Sequence, residues 1–277
     1  MKLFTKSIYR RIETKTLRNP DGITVTDRQE MLPSFDHAVV RKSTGTIFGC
    51  GGLGSQVGYG LCRKGYRRLR YYDHDTVEHS NLNRQFFFKN DLGKNKAIQL
   101  VKNLAPHAPS GTILEGHALS FQDAVALGHD LVADFVVCGV DNGETRVAVA
   151  RYCLRHAIPV VFLAVDFAAE HGYVFVQEPG GACFGCVFPN ALNSPKAPCR
   201  VPAVIDILDV VAGLALYAID SLLMDRRRAW NFRNVHLAGF APSSELVIEK
   251  RPDCPLCGGQ NHSSKGGAAG LGTRRRQ

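Results

Sequence analysis

No stretch of about 20 uncharged apolar residues occurs in the 277-residue chain. The most apolar run, residues 201–223, is interrupted by Asp206, Asp209 and Asp220, so no segment is expected to span a membrane. Also missing is the basic cap followed by an apolar block that marks a secretory leader, and a cytoplasmic location is expected. Acid is scarce at both ends. Residues 1–18 carry six basic side chains against Glu13 alone, and residues 258–277 carry Lys265, Arg274, Arg275 and Arg276 with no acid. These two tails account for the whole net charge of +9 and leave residues 19–257 neutral as a set, which argues against a nucleic-acid partner. Solenoid-type repeats are absent too. Nine cysteines is an odd number in a chain too large to need disulfide staples, which fits a reducing compartment where cysteine means burial, metal or chemistry.

Against these absences stands a regular alternation of strand and helix signals. An apolar run over 46–48 leads into Gly49-Cys50-Gly51-Gly52-Leu53-Gly54, after which Val57, Leu61 and Cys62 recur at helical spacing over 55–64. A second strand is expected over 69–72, ending in Asp73, so the opening unit is a βαβ crossover and implies a parallel sheet covered on both faces. A helix over 94–104, strands over 112–116 and 135–140, a helix over 144–156 and a strand over 160–165 continue the pattern. After Asp166 the texture becomes antiparallel, with strands expected over 173–177 and 246–249 around one long helix over 204–223. The fold expected is α/β: a Rossmann-like, doubly wound, mostly parallel sheet with an additional antiparallel C-terminal portion and a structural zinc site. Its divisions are an N-terminal extension (1–27) that docks a partner or caps the sheet edge, a nucleotide-binding portion (28–170), a substrate-binding portion (171–257) and a basic tail (258–277). The tail has no apolar periodicity and is expected to be disordered.

In the glycine turn, Gly49 allows a tight exit from the strand, Gly51 and Gly52 let backbone approach a phosphate, and Gly54 permits close helix packing. Asp73 lies 24 residues after Gly49 at the carboxyl end of the second strand, where an acid accepts hydrogen bonds from ribose hydroxyls. Together they predict an adenine nucleotide without choosing between NAD, FAD and ATP. Cys183-Phe184-Gly185-Cys186 and Cys254-Pro255-Leu256-Cys257 form two CxxC hooks separated by 67 residues, which complete a closed tetrahedral zinc site with no open position for catalysis. Cys50, Cys62, Cys138 and Cys153 fall in or beside strands and helices and read as small buried hydrophobes. Cys199 differs, lying in a loop near Lys196 and Arg200, which favour its thiolate.

The run Asp73-His74-Asp75-Thr76-Val77-Glu78-His79-Ser80-Asn81-Leu82-Asn83-Arg84-Gln85 resembles a signature of the ThiF/MoeB/HesA superfamily of ubiquitin-activating-enzyme-like adenylyltransferases. So do Gly51-Gly52, Gly93-Lys94-Asn95-Lys96-Ala97 and Asp141-Asn142, and the resemblance covers residues 28–257. It implies ATP-dependent adenylation of the C-terminal carboxylate of a small ubiquitin-like or sulfur-carrier (β-grasp) protein ending in Gly-Gly. Joining that carboxylate to the α-phosphate brings two anions together, so the site must supply positive charge and a fixed line of attack. By the resemblance, Arg84 and Lys96 contact the phosphates, Asn81 helps hold them, Asp73 binds the ribose and Asp141 holds Mg²⁺; for Asp141 the alternative is a helix N-cap. Lys94 could share or replace the duty of Lys96. Arg28 looks like the family's N-terminal arginine that reaches across a homodimer into the partner's ATP site. Cys199 matches a crossover-loop cysteine that in several relatives takes the activated acyl group or sulfur, otherwise received by a separate acceptor protein. The hooks sit where the zinc-bearing branch has its own. Two rival expectations are a dehydratase that adenylates a tRNA base or small molecule, and a non-catalytic partner subunit.

Overall fold

Apolar side chains on the central strands sort alternately to two faces, and this double burial is what a parallel sheet between helices requires. Ile47, Leu69, Tyr71, Phe135, Val137, Val161 and Leu163 join one core, while Phe48, Tyr72, Val136, Cys138, Val160 and Phe162 join the other. The structure, a computed structural model, describes residues 9–14, 23–191, 202–224, 226–239 and 241–258.

In chain order the elements are β1 (Tyr9–Glu13), α1 (Asp27–Glu30), α2 (His37–Val40), β2 (Thr44–Phe48), α3 (Gly52–Lys64), β3 (Arg68–Tyr72), α4 (Lys96–Leu104), β4 (Ile113–His117) and α5 (Phe121–Ala126). There follow β5 (Phe135–Cys138), α6 (Gly143–Arg155), β6 (Val160–Val165), β7 (His171–Gln177), α7 (Phe184–Val187), α8 (Ile205–Leu223), β8 (Phe232–His236) and β9 (Ser244–Leu246). They build one nine-stranded sheet of order β1-β4-β3-β2-β5-β6-β7-β8-β9. The five strands from β4 to β6 are parallel, whereas β1 at one edge and β7, β8 and β9 at the other are antiparallel. The α/β expectation therefore holds for a mixed sheet. Helices α3, α4 and α8 cover one face, and α5, α6 and α7 the other.

Several expectations shift. Within the N-terminal extension, residues 9–13 form β1, which pairs in register with β4 and caps that sheet edge. The sheet is continuous across residue 170, because β6 and β7 pair from Val165↔Gly172 to Val160↔Gln177. The strand expected over 135–140 stops at Cys138, where Gly139 packs against the glycine turn. The last strand spans Ser244–Leu246 rather than 246–249, and β8 went unanticipated. Residues 259–277 of the basic tail lie outside the described residues. No described helix is long and apolar enough to cross a membrane.

The sheet order reverses between β2 and β5, whose following chains run to opposite sides. A crevice opens at the carboxyl ends of strands at such a switch point, and this is where α/β sheets hold ligands.

Candidate functional site

At that switch point lies a cavity of about 1480 Å³, and the strand-to-helix turns supply its polar wall. Gly49 leaves β2 with φ of +87°, a conformation L side chains rarely adopt. A Cβ on Gly54 would lie 1.8 Å from the Gly49 carbonyl oxygen, so the turn closes only because both are glycine. A Cβ on Gly51 would meet nothing nearer than the Gln85 amide nitrogen at 3.9 Å, which leaves its backbone open to the cavity. Gly52 lines the cavity as well, yet a Cβ there would strike Leu208 of α8 at 2.8 Å. Its small size therefore serves helix packing more directly than phosphate approach.

Asp73 ends β3 almost fully buried. Its two carboxylate oxygens accept from the backbone N–H groups of Cys50 (2.7 Å) and Asp75 (2.8 Å), which ties the glycine turn to the next loop. Burial raises its pKa, against the opposing pull of Lys96 and those two N–H donors. Asn95 caps α4 through its side-chain oxygen while its amide donates to the Asp73 and Asp75 carbonyls, and this fixes Lys96 at the first position of the helix. The Lys96 ammonium bonds the Asp75 carboxylate at 2.9 Å. Burial works against its charge, but Asp73 and Asp75 outweigh that and raise its pKa, so the ammonium stays charged. Lys94 instead sits 4.0 Å from Asp91 and does not line the cavity, whereas Lys96 does. Arg84 lines the cavity, with its guanidinium donating to the Ser80 carbonyl and the Asn83 side chain. Asn81 is buried on the same wall and spends its side-chain oxygen on the Glu78 N–H.

Asp141 follows β5 and lines the cavity with its carboxylate exposed. The N-cap of α6 belongs to Asn142, whose side chain accepts from the Thr145 N–H at 2.8 Å, so capping is not the Asp141 duty. Sequence reasoning missed Arg146, buried on the same helix. It donates to the Val140 carbonyl (3.0 Å), the Tyr173 hydroxyl (2.7 Å) and the Leu163 carbonyl (2.8 Å), clamping the loop before Asp141 onto β6 and β7. An arginine on the helix after Asp141 was the only signal. The far wall is apolar, with Phe167, Tyr173, Phe184, Val187 and Phe188 among its lining.

Among the described residues expected at the site, Arg28 and Gly54 do not line this cavity. Arg28 is exposed on α1, which Gln29 fastens to the carbonyl of Lys64 at the far end of α3. That helix is about 20 Å long, so Arg28 lies well away from its own chain's glycine turn. Cys199 lies outside the described residues. Cys50, Cys62, Cys138 and Cys153 are buried as expected, and burial raises the pKa of each thiol.

Behind the apolar wall the thiols of Cys183, Cys186, Cys254 and Cys257 lie within 4.8 Å of one another. Neighbouring sulfur separations of 3.8, 3.4 and 3.5 Å compare with about 3.8 Å for tetrahedral sulfur ligands at Zn–S distances near 2.3 Å, so the donor set fits zinc. Gly185 makes the approach feasible, since a Cβ there would meet Leu256 at 2.8 Å and the Cys254 sulfur at 3.2 Å.

A doubly wound sheet with a glycine turn, a strand-ending acid and a buried lysine at its switch point has the architecture of nucleotide-binding α/β proteins. Residues 26–256 match the profile of the ThiF family, and the chain belongs to that family. It is 29% identical over 262 residues to the adenylyltransferase and sulfurtransferase MOCS3 of Xenopus laevis, covering 87% of this chain and 54% of that one. It is also 30% identical over 220 residues to the SAMP-activating enzyme E1 of Haloferax volcanii, covering 76% and 79%. The sulfur carrier protein adenylyltransferase of Thermus thermophilus shares 28% identity over 243 residues, covering 83% and 89%. The chain thus spans about half the length of its MOCS3 relatives. Among solved structures, Escherichia coli MccB with ATP superposes with a TM-score of 0.67 at 22% identity, covering 80% of this chain and 68% of that one, a likeness of fold.

Proposed function

We propose that the protein is an ATP-dependent adenylyltransferase that activates the C-terminal Gly-Gly carboxylate of a small ubiquitin-like or sulfur-carrier protein. The observation that carries this reading is that Gly51, Asp73, Arg84, Lys96 and Asp141, from three separate strand-to-helix connections, line one cavity at the switch point. Relatives named for adenylating sulfur carriers or activating ubiquitin-like modifiers support the same class.

In this reading the Asp73 carboxylate, still able to accept through its remaining lone pairs, receives the ribose hydroxyls, and the open backbone at Gly51 admits the phosphates. Arg84 and Lys96 offset the charge of the phosphates as the partner's carboxylate oxygen bonds to the α-phosphorus and the bond to pyrophosphate breaks. Asn81 stiffens the loop that carries Arg84. Asp141 would hold Mg²⁺, which neutralises phosphate charge and prefers one or two carboxylates beside phosphate oxygens. The apolar wall accepts an uncharged, extended tail, and the four cysteines hold zinc as a clip behind it. The acyl group then passes from the adenylate to the Cys199 thiol, as a thioester, or to a separate acceptor protein, and AMP leaves as the mixed-anhydride bond breaks. Arg28 serves the twofold partner's site in a homodimer.

The test is ATP–pyrophosphate exchange with a Gly-Gly-ending partner. Exchange should fall about 10²–10³-fold in Asp141→Ala; exchange undiminished in that variant removes the metal role, and no exchange in the wild type with any such partner removes the activity.

A further inference from the structure

One cluster of titratable side chains outside the cavity has no part in the adenylation reading. Strands β7 and β8 place His171 directly opposite His236, and the two imidazoles meet with ring centroids 4.0 Å apart at an interplanar angle of 68°. Side chains two places apart on a strand share a face, so this pair lies on the same face as Tyr173, which lines the cavity.

Each imidazole has one nitrogen engaged and one to spare. The His171 Nδ1 faces the Asp166 carboxylate at 2.7 Å. Asp166 is itself fixed at the β6–β7 turn, where one of its oxygens accepts from the backbone N–H groups of Glu170 and His171, both at 3.2 Å. A neutral His171 therefore carries its proton on Nδ1, donated to the carboxylate, and keeps a lone pair on Nε2 of a side chain that is 42% exposed. On the opposite strand the His236 Nε2 meets the Asn234 side-chain amide at 2.7 Å, whereas its Nδ1 is buried with no hydrogen-bond partner among the described residues. The Asn234 amide, turned to present its oxygen, accepts a proton held on Nε2 and leaves Nδ1 with a lone pair.

We infer that His171 and His236 hold a divalent transition-metal ion of the kind that favours imidazole, such as Zn²⁺, through Nε2 of His171 and Nδ1 of His236. Nitrogens each about 2.0–2.1 Å from one tetrahedral ion lie about 3.3 Å apart, a separation that these neighbouring rings reach by turning their side chains while the strands keep their register. Asp166 is the positioning residue behind His171, in the place that a carboxylate commonly takes behind a metal-bound imidazole. Two protein nitrogens leave the other positions on the ion to water, so this site is open and exchangeable where the cysteine cluster is closed. The ion ties the β6–β7 turn, which carries the exposed Phe167 of the cavity wall, to β8.

Calorimetric titration of the full chain with Zn²⁺, after dialysis that leaves metal in the cysteine cluster alone, tests this directly. The wild type should take up one further Zn²⁺ per chain, and its melting temperature should rise as it does so. His171→Gln and His236→Gln, both at partly exposed positions, should melt with the dialysed wild type, lose the uptake and show no rise on adding Zn²⁺. Asp166→Asn keeps both ligands and should weaken binding about 10–100-fold. No further uptake by the wild type, or uptake undiminished in the two histidine variants, overturns the site. Full affinity in Asp166→Asn overturns the positioning role. The adenylation reading stands under every one of these outcomes, because none of the three residues belongs to it.

Discussion

The two walls of the cavity are made by different halves of one sheet, and they are built on different principles. The polar wall comes from the parallel strands β2, β3 and β5 and from the connections that lead to the next helices, which place Gly51, Asp73, Lys96 and Asp141 along it. Its links are hydrogen bonds between neighbouring connections, such as the Cys50 N–H to the Asp73 carboxylate and the Asn95 amide to the Asp73 carbonyl. The apolar wall comes from antiparallel strands and from the segment around α7, whose Phe184, Val187 and Phe188 are positioned by packing and by the neighbouring cysteine cluster. One wall is set by backbone turns and hydrogen bonds, the other by apolar packing. The contrast implies that a lesion behind the apolar wall damages the fold most, whereas a lesion at the polar wall can abolish binding with the fold intact.

The largest effect is expected from breaking the cluster. Cys254→Ser should reduce bound zinc from one per chain to none and cost on the order of 5 kcal/mol, a fraction of the roughly 10–16 kcal/mol that structural zinc supplies elsewhere. Metal analysis and urea unfolding measure this, and full stability without metal would deny the clip its role. The glycine turn sharpens the other side. Gly54→Ala forces a methyl against the Gly49 carbonyl and should destabilise by about 3 kcal/mol, whereas Gly51→Ala should change stability by less than about 1 kcal/mol and still weaken ATP binding about tenfold. Equal behaviour of the two variants in melting and in calorimetry would erase the distinction between packing and ligand glycines.

A smaller, pH-dependent effect belongs to the parallel half. His117 at the end of β4 is stacked on Tyr72, and burial lowers its pKa to about 4. Below pH 6.5 the unfolded chain takes up a proton that folded His117 refuses, so stability is fully present above that pH and falls as pH drops towards 4. Between pH 7 and pH 5 the loss should be about 2 kcal/mol, and His117→Phe should remove that part of it. Parallel urea midpoints for the two proteins would expose an error here.

The sequence showed the parallel half well because its signals are local. A strand, a glycine turn and an amphipathic helix occupy 44–64 without a break, and the helix ends at Gly65 with φ of +88°. Strand β8 carried little signal, since Phe-Arg-Asn-Val-His alternates neither in hydrophobicity nor in burial and is specified by its neighbours β7 and β9. Strand β1 is short, basic and mostly exposed, and it joins the edge through the buried Glu115, which receives the Tyr9 hydroxyl at 3.0 Å. Arg146 was illegible because its partners on β7 and β6 lie 27 and 17 residues away.

By itself the sequence determined most of the strand and helix alternation from β2 to β6, the glycine turn, the acid that ends β3 and the two cysteine hooks. Each of these depends on residues within a few positions of one another, where backbone preference and side-chain chemistry act directly. The tertiary structure alone decided that Lys96 rather than Lys94 faces the cavity, that Asn142 rather than Asp141 caps its helix, and that Arg28 stands apart from its own chain's site. Those outcomes depend on which surfaces meet when distant segments pack, and packing joins residues that no local pattern links.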